Sequence, residues 1–411
     1  MDVFEETKIG EVKLKNRIFR SGTFEGMCDK DGIPNELYYS MYEELARNEL
    51  GAIITGFTYI SREGKAMQPG QAGIDSEEKV PFFRKLTDLV HRYNCRIFLQ
   101  IAHTGRQTRS VDTGMEVVGC SDKRSFYFKD KPRKLNRTEI VDIINRFGNS
   151  ALYSKNAGFD GVQIHAAHGY LIHQFLLSAI NNRKDEYGIN PETGIGTKFL
   201  EEIIHNVRNK CGLNFPVLIK ISGGVDYKNS FSEEQFIHLI RFFEQLKVDG
   251  IEISYGTMDY ALNIFRGDLP LDLILAQNPI YRTKNKLKKR FWKTFVLPVI
   301  KVKLKPFSMM YNLDYAFIAK QVTVIPVISV GGFRSYGEMD YAIRNRKTDL
   351  VSLCRPLICE PDFVRKIKED HCYLSQCTSC NYCAIMCDTK NYTKCYQKQK
   401  NGTISKNSYS Y

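Results

Sequence analysis

Two histidines and a tyrosine stand within six positions in the run Gln163-Ile-His165-Ala-Ala-His168-Gly-Tyr170. Paired imidazoles can donate hydrogen bonds to one carbonyl oxygen, as an oxyanion hole does. A tyrosine hydroxyl beside them can supply a proton. Zinc could use the two histidines, but no third ligand is evident nearby. Further along, Gly331-Gly332 follows Val-Ile-Ser-Val and Arg355 follows Leu-Val-Ser-Leu-Cys354. Backbone N–H groups of a glycine pair can close round a phosphate, and an arginine adds a bidentate charged contact.

Thiols form the third constellation. Of twelve cysteines, five crowd between Cys377 and Cys395. Cys377, Cys380, Cys383 and Cys395 have the spacing of a loop that wraps an iron–sulfur centre. Zinc and empty thiols are the rival readings. Cys387 is a spare ligand that could replace Cys383 or Cys395. Clustered cysteines point to a metal site before they point to disulfides.

Positioning these groups requires a scaffold. Short apolar runs at 18–21, 52–56, 97–101, 161–165, 217–221, 250–254, 326–330 and 350–353 read as parallel strands buried on both faces. Helical patterns at 35–48, 77–93, 137–157, 198–211, 232–246, 313–321 and 335–344 alternate with them. Eight such repeats predict an α/β fold, a (β/α)8 TIM barrel. A doubly wound sheet is weaker, because no G-x-G-x-x-G follows a strand. The expected division is a barrel over residues 1–370, a cysteine-rich loop over 371–397 and a polar tail over 398–411. Barrel sites lie at the C-terminal strand ends. There stand Thr23, Gly56, Gln100, His165, Lys220, Ser254, Gly331, Gly332 and Arg355.

The bulk properties narrow the classes. The 411 residues are 43% hydrophobic and 26% charged, an ordinary globular balance. No apolar run spans a membrane, and the acidic start lacks a signal-peptide core, so a cytoplasmic protein is expected. The net charge is +13, and the basic residues are spread along the chain except for one dense stretch at 282–305, with Phe291, Trp292 and Phe295 interleaved. That stretch reads as a solvated helix face before a docking surface for an acidic redox partner, and nucleic-acid binding is not expected.

His165-Ala-Ala-His168-Gly-Tyr170 and Asn182-Arg-Lys-Asp-Glu-Tyr-Gly188 resemble the strand-four signature of the old yellow enzyme superfamily. Arg20-Ser-Gly-Thr-Phe-Glu-Gly26, Gln100-Ile-Ala-His-Thr-Gly-Arg106, Pro326-Val-Ile-Ser-Val-Gly-Gly332 and Arg355-Pro-Leu-Ile occur in that family's order. The likeness is to bacterial NADH:flavin oxidoreductases related to the barrels of 2,4-dienoyl-CoA reductase and trimethylamine dehydrogenase. It implies FMN, with Gln100 on the pyrimidine edge, Lys220 by N1 and O2, Thr23 and Gly56 along the ring, and Gly331, Gly332, Cys354 and Arg355 on the phosphate. It implies His165 and His168 on a substrate carbonyl and Tyr170 as proton donor to an activated alkene. It also implies a [4Fe–4S] cluster on Cys377, Cys380, Cys383 and Cys395, with NAD(P)H or a redox protein as electron source. A homo-oligomer is expected. An amine dehydrogenase or an electron-transfer subunit without substrate chemistry are the other readings. The chain departs from the family in Gly22-Thr23, in Ile-Asn-Pro after Gly188, and in a tail expected in place of two dinucleotide-binding domains.

Overall fold

The computed structural model describes residues 2–228 and 231–397; the tail expected at 398–411 lies outside them. Eight parallel strands are formed: β1 (Ile18–Arg20), β2 (Ala52–Ile54), β3 (Arg96–Ala102), β4 (Gly161–Ala166), β5 (Val217–Ser222), β6 (Gly250–Ser254), β7 (Val327–Val330) and β8 (Leu350–Leu353). Their hydrogen-bonded order is β2-β1-β8-β7-β6-β5-β4-β3, and pairing of β2 with β3 closes the barrel. Every residue of these strands is buried except Arg96 at the start of β3. Closure removes the unpaired edges that an open sheet would expose.

The outer ring contains α1 (Glu36–Ala46), α2 (Val80–His91), α3 (Arg137–Asn156), α4 (Lys198–Cys211), α5 (Glu233–Gln245), α6 (Leu313–Lys320), α7 (Tyr336–Arg344) and α8 (Phe363–Glu369). Local sequence starts several of them. Asn136 and Glu139 form a reciprocal capping box before α3, as Ser232 and Gln235 do before α5. The first seven of these helices agree with the expected spans to within a few residues, and α8 had no expected span.

A hairpin, Thr7–Ile9 against Val12–Leu14, precedes β1. Its Ile9 and Leu14 join Phe19, Ala52, Ile54, Phe98, Leu218, Ile328 and Leu350 in a cluster that fills the lower barrel. The cluster members lie on alternate positions of their strands, so the same alternation carries the next inward residues upward: Ser21, Gln100, Lys220 and Ser352. The apolar layer is thus the base on which a polar layer stands.

Residues 258–304, between β6 and α6, form a long helical insertion. It comprises Met258–Tyr260, Ala261–Phe265, Leu271–Gln277 and a stretch running through Lys286–Phe291, a π-helical turn at Trp292–Val296 and Leu297–Lys303. Among the described residues, no helix is long and apolar enough to cross a membrane.

Phe98→Ala should cost about 3–5 kcal/mol in denaturant unfolding, the range for emptying an aromatic core position. Phe98 is fully buried and touches Phe19 at a ring-centroid distance of 6.1 Å. A loss below about 1 kcal/mol would mean that the lower barrel is not packed around this ring.

Candidate active site

The inward-facing polar layer forms one hydrogen-bonded network. The Gln100 Nε2 donates to Gln163 Oε1 at 2.6 Å, and the Gln163 Nε2 donates to Glu252 Oε2 at 3.0 Å. The Ser352 hydroxyl donates to Glu252 Oε1 at 2.6 Å. The Lys220 ammonium lies 3.1 Å from Glu252 Oε2 and donates to Ser21 Oγ at 2.8 Å. Burial by itself would raise the Glu252 carboxyl. The Lys220 charge and the hydrogen bonds from Ser21, Ser352 and Gln163 overcome it and hold the group below its ordinary value.

Above this layer a cavity opens at the C-terminal ends of the strands. Thr23, Gln100 and Lys220 line it, His165, His168 and Tyr170 stand on its wall, and Cys354 and Arg355 close another side. Eight of the eleven residues expected to carry catalysis and cofactor binding therefore meet in one place. Gly56, Gly331 and Gly332 do not line it. The Gly56 N–H donates to Glu25 Oε1 at 2.6 Å, and a Cβ there would lie 2.2 Å from Glu25 Oε2. Glu25 is itself tied to Arg20 and the Tyr42 hydroxyl. Gly331 and Gly332 face residues 308–312: a Cβ on Gly331 would strike the Tyr311 ring at 2.5 Å, and one on Gly332 the Met310 nitrogen at 2.6 Å. In this structure these glycines admit a neighbouring segment, and that segment supplies Tyr311 and Asn312 to the cavity.

The wall residues are electrically quiet. Burial, followed by the nearby Lys220 charge, holds His165 well below its ordinary value. Burial does the same for His168, with His165 and then Lys220 adding to it. The His165 Nδ1 accepts from the Ala167 N–H at 3.3 Å, so the neutral ring carries its proton on Nε2. The His168 Nε2 lies 2.8 Å from Ser254 Oγ. Burial pushes the Tyr170 hydroxyl well above its usual range, with Cys387 and Asp388 contributing. The Tyr170 ring packs on His165 with centroids 4.8 Å apart.

A second cavity is lined by Cys377, Cys380, Cys383 and Cys395 together. Among the described residues, no three His, Cys, Asp or Glu side chains converge closely enough to hold a single ion. The four thiols instead surround a space. Burial pushes the Cys383 thiol up to about 12, with Cys377, Cys380 and Cys395 among its interacting neighbours. Cys383, Arg355 and Ile358 line both cavities. Cys387, expected as a spare ligand, lines the first cavity and not the second.

A third chamber adjoins the first and shares Gln68, Met258, Phe265 and Cys387 with it. Tyr281, Trp292, Val296 and Ile300 of the insertion line it. Beside it the buried Asp388 carboxylate accepts from Gln68 Nε2 at 2.7 Å, the Tyr127 hydroxyl at 2.9 Å and Asn278 Nδ2 at 2.9 Å. Sequence reasoning passed over Gln163, Glu252 and Asp388. For the first two a signal existed: each is a lone polar residue inside an apolar strand, in phase with His165 or Ser254.

The family model for "NADH:flavin oxidoreductase / NADH oxidase family" matches residues 2–263 and 276–372. The chain belongs to that family. The motifs had implied an NADH:flavin oxidoreductase, and the family model bears that out. A relative named NADH oxidase, from Thermoanaerobacter brockii, is 27% identical over 92% of this chain and 53% of its own length. Cinnamate reductase from Clostridium sporogenes is 29% identical over 92% of this chain and 54% of its own length. The chain thus spans about half the length of these two relatives. Among solved structures, a 2-naphthoyl-CoA reductase superposes with a TM-score of 0.79 at 21% identity, covering 96% of this chain and 56% of the other. An old yellow enzyme homologue from Zymomonas mobilis gives 0.70 at 23% identity, covering 98% of this chain and 100% of the other. These two likenesses are of fold.

Buried neutral histidines make stability depend on pH. His103 is brought down to about 4 and His173 to about 3, in both cases by burial. Below about 6.5 the unfolded chain binds protons that the folded chain refuses. Stability is therefore whole above pH 6.5 and falls as pH drops from there towards 4. Each such histidine adds a slope of up to about 1.4 kcal/mol per pH unit. Denaturation midpoints measured from pH 7.5 to 5 should fall, and His103→Gln should flatten the curve; a curve unchanged by that substitution would remove His103 as a contributor.

Proposed function

We propose that this chain is an FMN-dependent oxidoreductase that reduces activated alkenes, the α,β-unsaturated carbonyl compounds. The observation that carries this is the meeting of two neutral imidazoles and a protonated phenol, on one cavity wall, with an amide and a cation on its floor. The fit to FMN rests on those donors: the Gln100 amide can meet a pyrimidine edge, Lys220 can face N1 and O2, and Arg355 is the cation available to a phosphate. Thr23 borders the same space, as does Asn312, whose Oδ1 is buried without a hydrogen-bond partner. Cys354 stands beside Arg355 at the same end. Bound FMN supplies hydride chemistry, with NAD(P)H as the electron donor that the family name implies.

The remaining chemistry belongs to the chain. The His165 Nε2–H can donate to a substrate carbonyl oxygen, and His168 stands beside it, 5.0 Å away between ring centroids. Neutral donors bind that oxygen without giving up a proton, so developing negative charge is stabilised in place. Tyr170 retains its proton until a carbon centre of rising basicity takes it. The site has the neutral donors that a carbonyl acceptor requires, which favours a reductase over an amine dehydrogenase. Relatives named cinnamate reductase and 2-naphthoyl-CoA reductase agree with this substrate class.

The cysteine cavity fits a multi-atom group better than one tetrahedral ion, because its thiols ring a space. Cys377, Cys380, Cys383 and Cys395 would hold a [4Fe–4S] cluster there, and it would supply one-electron exchange with a donor.

Tyr170→Phe should slow reoxidation of the reduced enzyme by cyclohexenone about 10²- to 10⁴-fold and leave reduction by the donor nearly unchanged. Stopped-flow absorbance at the flavin band separates the two; equal slowing of both would deprive Tyr170 of its role as proton donor. Anaerobically purified protein should contain about four irons and four sulfides per FMN. Cys380→Ser should lose most of the iron and keep the flavin, whereas zinc in the wild type, or no metal after reconstitution, would sink the cluster.

A further inference from the structure

The helical stretch 286–303 is apolar on two sides. Trp292, Val296, Ile300 and Leu304, four residues apart, line the third chamber. One residue out of phase, Phe291, Phe295 and Val299 are 54%, 63% and 60% exposed, and the stripe continues through Leu287 at 78% and Val302 at 88%. The Phe291 and Phe295 rings touch, with centroids 5.4 Å apart. Between residues 282 and 305 there are ten Lys and Arg and no Asp or Glu. Among the described residues only Lys293 of these ten forms an ion pair, with Asp272 at 2.8 Å.

We infer that this helix docks the protein on an anionic lipid surface, with the chamber opening beside the contact. Charge decides against a second copy of the chain, since an isologous contact would set ten cations against ten. Protein interfaces gather aromatic residues into a compact core inside a polar rim. Here the exposed apolar side chains form one row along the helix, free of Lys and Arg only from Thr294 to Ile300, with Lys288 one turn before Phe291 and Lys301 and Lys303 at the far end. A row bracketed by cations suits a headgroup layer: apolar side chains reach the acyl boundary while long cationic ones extend to phosphates.

The chamber gives the docking a use. Its lining includes Phe126, 67% exposed, and Val299 of the stripe itself, so its mouth lies beside the lipid contact. It borders the cavity of His165 and Tyr170 across a shared wall that includes Met258, Phe265 and Cys387. The ligand class it suits is an extended apolar molecule that partitions into lipid. This part rests on the reductase reading; the docking does not.

Vesicle flotation of the whole chain tests the docking with no turnover. Vesicles of equal phosphatidylglycerol and phosphatidylcholine should carry the protein up, and phosphatidylcholine alone should carry far less. Lys288→Gln, Lys289→Gln and Arg290→Gln together should weaken binding roughly 100-fold. Phe291→Ser with Phe295→Ser should weaken it at least about tenfold, as loss of two buried aromatic contacts requires. All five side chains lie on the insertion's surface, and unchanged thermal midpoints will verify folding. Trp292 is the single tryptophan, so quenching of its emission by brominated phosphatidylglycerol reports on this helix directly. Failure to float with anionic vesicles, binding indifferent to the Phe pair, or a solution dimer that the Phe pair splits would each overturn the inference. None of these would touch the reductase reading, which stands or falls on the Tyr170 half-reactions.

Discussion

A carboxylate at the centre of a barrel is the constraint on which this structure turns. Glu252 is wholly buried, and an isolated charge there would be prohibitive. Its neighbours make it tolerable: Lys220 from β5, Gln163 from β4 and Ser352 from β8. Removing one member of such a pair typically costs about 3–5 kcal/mol, because the other charge is stranded. The network also fixes register. Lys220 stands opposite Glu252 in the β5–β6 ladder and opposite His165 in the β4–β5 ladder. A slip of one residue would turn Glu252 into the helix layer, where nothing compensates it. The floor of the cavity is therefore held by the same side-chain bonds that fix the register of the strands around Glu252.

That floor determines the electrostatics above it. Lys220 is close enough to help keep His165 and His168 neutral, so one cation acts on both the floor and the wall of the cavity. His168 accepts a backbone conformation with φ of +59°, unfavourable for a histidine. Surrounding bonds over-determine it: its N–H donates to Ser222 Oγ at 3.3 Å, its carbonyl accepts from the Met258 N–H at 2.8 Å, and its ring meets Ser254. The bend turns the chain so that His165 and Tyr170, five residues apart, face the same cavity.

The barrel was legible because parallel strands buried on both faces are apolar throughout, and β1 to β8 fall where those runs fall. The strand-end rule brought Gln100, His165, Lys220 and Arg355 to one cavity. It did not bring Gly56, Gly331 and Gly332 to the lining of that cavity. A glycine reports that something approaches closely and does not say what; here the neighbours are Glu25 and residues 308–312. The insertion at 258–304 was hard to parse for another reason. Its helix is apolar on adjacent sides and basic between them, so no single amphipathic period stands out. Asp388 could not be foreseen as a hub, since its partners lie more than 100 positions away in sequence.

The cysteine loop keeps its place through ordinary protein contacts as well as any group it binds. Glu360, fully buried after β8, accepts from the Tyr373 hydroxyl, from Ser375 Oγ at 3.1 Å and from the Gln376 N–H at 2.7 Å, which starts the loop in a set direction. Arg355 Nη1 then donates to Asn381 Oδ1 at 2.7 Å and to the Arg266 carbonyl at 2.8 Å, joining the loop to the insertion. Asp388 completes the seam with Gln68 of the barrel, Tyr127 of the β3–α3 connection and Asn278 of the insertion. It differs from Glu252 in having only neutral donors and no cation, and burial leaves its carboxyl raised. A roof joined through such a group is weaker than a floor joined through a buried ion pair. The barrel floor is therefore joined through an ion pair and the cysteine loop through neutral donors, so of the two seams the one at Asp388 is the easier to part.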